Sequence, residues 1–213
     1  MEEQLKDIRS IRNPKVRIKV AQGHFATTHS HINLYIDMTT IKYRHNNARE
    51  TAKELASQYV TSKPIDTIVC LDGTEVIGGF IAELLADNSA MSINSGKNIS
   101  IITPEFNQIG QMIFRDNTQR MIRNLQVLLL VATATTAKTI GRALECIDYY
   151  GGYVCGVTAL FSAEKSVQGF PINALFTSDD LPQYRTYPYH DCPYCKNNIK
   201  IDAIVNGYGY SKL

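Results

Sequence analysis

The 213-residue chain has almost no net charge, no apolar run long enough to span a bilayer and no secretory framework of cysteines. Each absence removes a class of function. Lysine and arginine number 22 against 20 aspartates and glutamates, a net +2, so bulk electrostatics give no reason to expect a nucleic-acid partner. Any basic site has to be local. No stretch approaches the roughly 18 apolar residues of a membrane span, and the charged opening "MEEQLKDIRSIRNPKVRIKV" contains no apolar targeting core. A soluble, cytoplasmic protein with no membrane partner is the expectation. The five cysteines, Cys70, Cys146, Cys155, Cys192 and Cys195, are an odd number without a secretory signal, which argues for reduced thiols rather than disulfides. The first three lie in apolar or helical contexts, where cysteine serves as a small buried hydrophobe.

What is present is a chain that is 44% hydrophobic, ample for one domain with its own core. No internal repeat or low-complexity tract interrupts it. Strand and helix signals alternate instead. In "NNARETAKELASQYV" (46–60), Ala48, Ala52, Leu55, Ala56 and Tyr59 fall at helical spacing. "IDTIVCL" follows as a strand, "DGTEVIGG" as a turn and "FIAELLA" as a helix. "KNISIIT", "QVLLLV", "GYVCGVTALF" and "INALFTS" read as further strands, and "TIGRALECIDYY" as a helix that places Ile140, Ala143, Leu144 and Ile147 on one face before Gly151 ends it. Strands apolar throughout, separated by amphipathic helices, predict an α/β fold with a parallel central sheet flanked by helices. Ligands of such sheets bind beyond the carboxyl ends of the strands. Two loops at that edge therefore carry the candidate chemistry.

The first is "ATATTAKT" (132–139). Backbone amides at the start of the following helix favour an anion, Thr135, Thr136 and Thr139 add hydroxyls, and Lys138 adds a positive charge. Helix capping alone would need only one threonine. A phosphate is the expected guest at Thr135, Thr136, Ala137, Lys138 and Thr139, although the glycines and G-K-[ST] order of a P-loop are missing. The second loop holds Asp72, Gly73, Thr74 and Glu75, a tight acidic turn able to approach a pyrophosphate or hold a metal-bound water. A plain D-G turn is the simpler reading of the same residues. In the tail, "YHDCPYCKNN" brings His190, Cys192 and Cys195 close together. C-x-x-C is half of a zinc site, but no second C-x-x-C or H-x-x-x-H supplies the rest, so zinc at Cys192 and Cys195, completed from elsewhere in the fold or from a dimer partner, is the less favoured reading and no metal ligand is assigned. "NGYGY" (206–210) reads as a flexible aromatic end.

"VATATTAKTIGRALECIDYYGGYVCGVTALFS" (131–162) resembles the phosphoribosyl-pyrophosphate (PRPP) motif of type I phosphoribosyltransferases with the helix and strand that follow it. "GHFATTHSHINLYID" (23–37) is similar to the base-binding segment of the orotate phosphoribosyltransferases, and "ARETAKELASQY" and "PIDTIVCLDGTEVIGGFIAELL" to their next helix and pyrophosphate-loop unit. The resemblance spans about residues 20–162. It implies one domain, with a core over about 46–180 and residues 1–45 and 181–213 forming a small hood or dimer elements. It also implies a homodimer, a phosphorylated small-molecule ligand, magnesium, and transfer of phosphoribosyl from PRPP to orotate or a related base. Phe25, His31 and Tyr35 stand in the base-binding segment, alongside His24 and His29. Two departures stand out. The adjacent acids that hold the ribose hydroxyls in the family are Val131 and Ala132 here, and the stretch matching its flexible catalytic loop, "TPEFNQIGQMIFRDNTQRMIRN", has Arg115, Arg120 and Arg123 but no lysine. The missing acids would also remove stabilisation of charge developing on the ribose. The alternative expectation is therefore a nucleotide- or sugar-phosphate-binding protein on the same scaffold that does no transfer.

Overall fold

The computed structural model describes residues 5–87, 92–108, 110–134 and 138–213. The chain opens with strands β1 (Lys6–Arg9), β2 (Arg17–Ala26) and β3 (His31–Asp37), followed by helices α1 (Thr39–Tyr43) and α2 (His45–Ala56). Strand β4 (Thr67–Cys70) leads into helix α3 (Glu75–Ala86). Then come β5 (Ser100–Ile102), the short hairpin β6 (Glu105–Phe106) and β7 (Met112–Ile113), and helix α4 (Asp116–Gln119). Strand β8 (Gln126–Ala134), helix α5 (Lys138–Tyr149) and strand β9 (Tyr153–Ser162) make the central unit, continued by β10 (Ser166–Val167) and β11 (Phe170–Phe176). The last segment contributes β12 (Thr186–Tyr187), a 3₁₀ turn at Tyr189–Asp191, helix α6 (Pro193–Lys196), β13 (Ala203–Asn206) and β14 (Gly209–Lys212).

The central sheet has the order β10-β11-β9-β8-β4-β5, and every pairing from β11 to β5 is parallel. Its middle strand explains the unbroken apolar run of the sequence. Leu128, Leu130 and Ala132 face one core with Ala48, Leu55, Ile77 and Ile81 of α2 and α3, while Val127, Leu129 and Val131 face a second core with Ile140, Ala143, Leu144 and Ile147 of α5. A strand covered on both sides has no solvent face to make polar.

One local expectation changes. "DGTEVIGG" is a turn only as far as Thr74, because α3 begins at Glu75 and takes both glycines into its second turn. The Thr74 hydroxyl donates to Leu71 O at 2.9 Å and Leu130 O at 3.3 Å, while Gly78 N–H returns to Thr74 O. Gly78 lacks a side chain for a packing reason: a Cβ there would lie 2.5 Å from Cys70 Sγ. Glycine lets the helix settle onto β4.

A second sheet, in the order β12-β3-β2-β13-β14 with β1 also on β2, is built from the N-terminal and C-terminal segments and forms the hood. Strand β13 runs parallel to β2, with Ala203 opposite Phe25 and Ile204 opposite Ala26. The hood shares one continuous apolar cluster with the central sheet, through Ile18, Val20, Phe25, Leu34, Ala203 and Val205. "NGYGY", expected to be a flexible end, is the tight β13–β14 turn, because Val205 and Tyr210 pair across it and the Asn206 side chain accepts from the Tyr208 amide. All five cysteines are free thiols. Cys70 and Cys155 are buried, and burial pushes their thiols up to about 12 and about 11, which keeps them inert. No helix among the described residues is long and apolar enough to cross a membrane.

Candidate ligand cleft

Strands β4 and β8 end at the same edge of the central sheet, and the hood overhangs it. Asp72, Thr133 and Thr139 form the floor of the resulting cleft, with Thr27, Thr28 and His29 of the β2–β3 turn, Tyr35, and Asn206 and Gly207 of the tail above it. The floor turn is held in an uncommon conformation. Asp72 has φ 57° and Gly73 φ 75°, both left-handed. A Cβ on Gly73 would come within 2.7 Å of the Tyr43 hydroxyl, so both φ and space require glycine there.

Lys42 holds that turn in place. It is 1% exposed, and its ammonium donates to Asp72 O at 2.8 Å and Gly207 O at 2.5 Å between the rings of Tyr43 and Tyr208, whose centroids lie 5.0 and 5.5 Å away. Burial lowers its pKa from the ordinary lysine value, and the carboxylates of Asp72, Glu75 and Asp37 pull partly in the other direction. Burial likewise raises the Asp72 carboxyl, with Lys42 opposing. One cation thus joins α1, the floor turn and the hood turn. Sequence reasoning misses it, since a lysine in the five-residue helix TTIKY carries no periodic sign of burial.

The expected site residues divide. Of the acidic turn, only Asp72 lines the cleft. Thr74 is buried and spends its hydroxyl on two main-chain carbonyls, so it has no donor left for a ligand. Glu75 accepts from Thr103 Oγ1 at 2.9 Å on the outside of α3. Thr135, Thr136 and Ala137 lie outside the described residues. Lys138 opens α5 and is exposed, and Thr139 reaches the cleft. Tyr35 also lines it, with its hydroxyl pushed well above its ordinary pKa by burial. Phe25 does not: at 1% exposure it packs behind the Tyr35 ring as part of the core. His31 does not either, because its ring turns away to meet His24 and Cys195. The cleft histidine is His29, whose pKa is lowered by burial and then by the charges of Arg142 and Lys138. Arg115, just before α4, is tied to Glu105 of the exposed hairpin at 2.6 Å, and neither Arg120 nor Arg123 lines the cleft.

Val131 and Ala132 are both 0% exposed and point to opposite cores. Among the described residues the lining of the cleft therefore offers a single carboxylate, Asp72, among threonine hydroxyls, a carboxamide and an imidazole, with Lys138 and Arg142 near that imidazole. Such a set suits an anion attached to a hydroxylated body. It suits a protein-held magnesium poorly, since that one carboxylate sits beside the Lys42 ammonium.

A second group of side chains lies away from the cleft. His24 and His31 of the β2–β3 hairpin meet Cys192 and Cys195 of the tail, with their four ligand atoms within 4.8 Å of one another. Burial, and then the neighbouring His24, hold His31 below the ordinary histidine pKa. His190, the tail histidine singled out in the sequence, is not part of the group.

No protein-family model and no curated protein sequence matches the chain. Solved structures do. The Leishmania donovani UMP synthase superimposes with a TM-score of 0.55 at 17% identity, over 84% of this chain and 36% of that longer one. The Mycobacterium tuberculosis H37Rv orotate phosphoribosyltransferase in complex with PRPP gives 0.51 at 14%, over 69% of this chain and 82% of its own. The adenine phosphoribosyltransferase of Thermoanaerobacter pseudethanolicus gives 0.51 at 13%, over 83% and 96%. With its parallel sheet, flanking helices and overhanging hood, the chain has a type I phosphoribosyltransferase-like fold.

Proposed function

We propose that the protein binds a ribose 5′-phosphate compound, a nucleotide or PRPP, in the cleft beneath the hood and does not transfer its phosphoribosyl group. The observation that carries this reading is the pair Val131 and Ala132. Both positions are fully buried and apolar, and the remainder of β8, Thr133 and Ala134, adds no acid, so this end of the strand offers a ribose no carboxylate. Anion binding is supported by α5, which presents Lys138 and Thr139 in its first turn and Arg142 one turn further along, and by His29, which feels the charges of Arg142 and Lys138. The M. tuberculosis neighbour was solved with PRPP, a ligand of the same chemical class. Magnesium belongs to this reading only as an ion the ligand itself brings.

Calorimetry with nucleoside monophosphates and PRPP tests binding, and Lys138→Ala should weaken whichever ligand binds. Absence of heat with all of them overturns the proposal. Incubation with PRPP, magnesium and a panel of bases including orotate tests the transferase reading, which Asp72 favours by its place on the cleft floor. Release of pyrophosphate would establish that reading instead. The homodimer belongs to the same proposal: the outer strand β5 exposes Ile101, and α3 exposes Val76. A second copy would cover this apolar edge, and sedimentation equilibrium should show a dimer.

A further inference from the structure

We propose that His24, His31, Cys192 and Cys195 form a zinc site that staples the C-terminal tail to the β2–β3 hairpin. The donor set is two thiols and two imidazoles with no carboxylate, a combination that selects zinc over magnesium or calcium. All four ligand atoms lie within 4.8 Å of one another, and the three nitrogen–sulfur separations approach tetrahedral values. Zinc bonds of about 2.0–2.1 Å to nitrogen and about 2.3 Å to sulfur place ligand atoms about 3.4 Å apart for two nitrogens and about 3.6 Å for nitrogen and sulfur. Here Cys192 Sγ lies 3.5 Å from His24 Nε2, and Cys195 Sγ lies 3.7 Å from the same atom and 3.3 Å from His31 Nδ1. The two nitrogens, 2.9 Å apart, need to separate by about half an ångström.

An independent feature points the same way. His24 Nδ1 faces the main-chain oxygens of Ile199 at 2.9 Å and Lys200 at 3.2 Å, so it carries the hydrogen and Nε2 turns its lone pair toward the thiols. A carbonyl that fixes the tautomer of a histidine is the usual outer support of a metal-bound imidazole. The tail provides both acceptors just after the C-x-x-C. Tyr194 stacks on His24 with centroids 5.1 Å apart and Tyr189 meets His31 edge-on at 5.1 Å, leaving the rings little freedom to turn. His24 and Cys192 are buried, while Cys195 is exposed and gives an ion a way in.

Four protein ligands leave no open position, so the ion is structural. What it stabilises follows from connectivity. The ligands come from segments far apart in sequence, and the tail that carries the cysteines continues directly into β13 and the Asn206–Gly207 roof of the cleft. Zinc fixes the hood and, through it, that roof.

The full-length protein, purified in reductant without chelator, should contain stoichiometric zinc by mass spectrometry, and cobalt exchanged into it should give the visible bands of tetrahedral thiolate coordination. Cys195→Ser and His31→Ala should each abolish stoichiometric metal, whereas His190→Ala and Cys155→Ser should keep it. Hydrogen exchange in residues 186–213 should accelerate when a chelator is added. Three results overturn the site: no zinc in the parent protein even after reconstitution with zinc and reductant, full zinc retention in both ligand variants, or a Cys192–Cys195 disulfide under reducing purification. Should the variants aggregate, the zinc content and cobalt spectrum of the parent still decide. Failure of the zinc site leaves the ligand reading of the cleft untouched, because that is measured by calorimetry.

Discussion

Replacing Lys42 by methionine keeps the length of the side chain and removes its charge and donors. Two acceptors lose their partner, Asp72 O and Gly207 O, within a contact so close that a Cβ on Gly207 would lie 2.5 Å from Asp72 Cβ. A fully buried acceptor left unsatisfied costs about 1–3 kcal/mol, and these two are part-buried, so the pair costs about 2–4. Loss of the two aromatic faces adds about 1 kcal/mol or more. Against this stands the relief of burying an ammonium, which is real because burial is the largest influence on its lowered pKa. The net expectation is a loss of about 2–4 kcal/mol. Urea unfolding followed by circular dichroism should show a lower midpoint with an unchanged slope, and the variant should bind phosphorylated ligands more weakly because the floor turn and roof separate. The sign with pH can also be worked out. A lysine with lowered folded pKa holds its proton less tightly than in the unfolded chain, so this site lifts stability as pH rises toward the ordinary lysine value. The variant should lack that rise. A loss under about 0.5 kcal/mol, or a gain, would mean that water satisfies the two carbonyls and that the clamp is a net burden.

His29 gives a pH dependence to binding. Its pKa is lowered by burial, then by Arg142 and Lys138, and a bound phosphate offsets those charges and raises it. Affinity should therefore strengthen as pH falls through the ordinary histidine range, and His29→Gln should flatten the profile in calorimetry; a pH-independent affinity in the parent removes His29 from the site. Gly78→Ala should destabilise by about 1–3 kcal/mol through overpacking on Cys70 Sγ. Cys70→Ala in the same chain should restore part of that loss in thermal melts, and additive losses would place the strain elsewhere.

The central sheet was readable because its strands are buried on both faces and so appear as unbroken apolar runs, as in Val127–Ala132. Helix α5 was readable from one clear apolar face. The start of α3 was not, since Gly78 and Gly79 signal a turn locally while the requirement that makes Gly78 useful, contact with Cys70, is tertiary. The hood is implied by family resemblance alone, because the pairings that close it, β13 on β2 and β12 on β3, are two residues long and join segments distant in sequence. The same limit applies to the histidines and cysteines: the C-x-x-C was visible and so were His24 and His31, but nothing local says that β13 lies beside β2 and brings the two halves together. Tyr35 and Phe25 share the base-binding segment and both are buried, at 4% and 1%; what separates them is that Tyr35 lines the cleft and Phe25 lies behind it, which no local pattern shows.

The pairing of β13 with β2 also orders events as the chain is made. Strand β1 covers β2 along Arg17–Val20, but the same edge at Phe25 and Ala26 has no neighbour until Ala203 and Ile204 arrive. At cellular rates, the roughly 180 intervening residues take about 10–35 s to synthesise. Through that interval the nascent hairpin carries an open strand edge, the kind of surface that pairs with other chains. A chain cut before residue 203 keeps that exposure permanently, so fragments should precipitate where the intact protein stays dispersed.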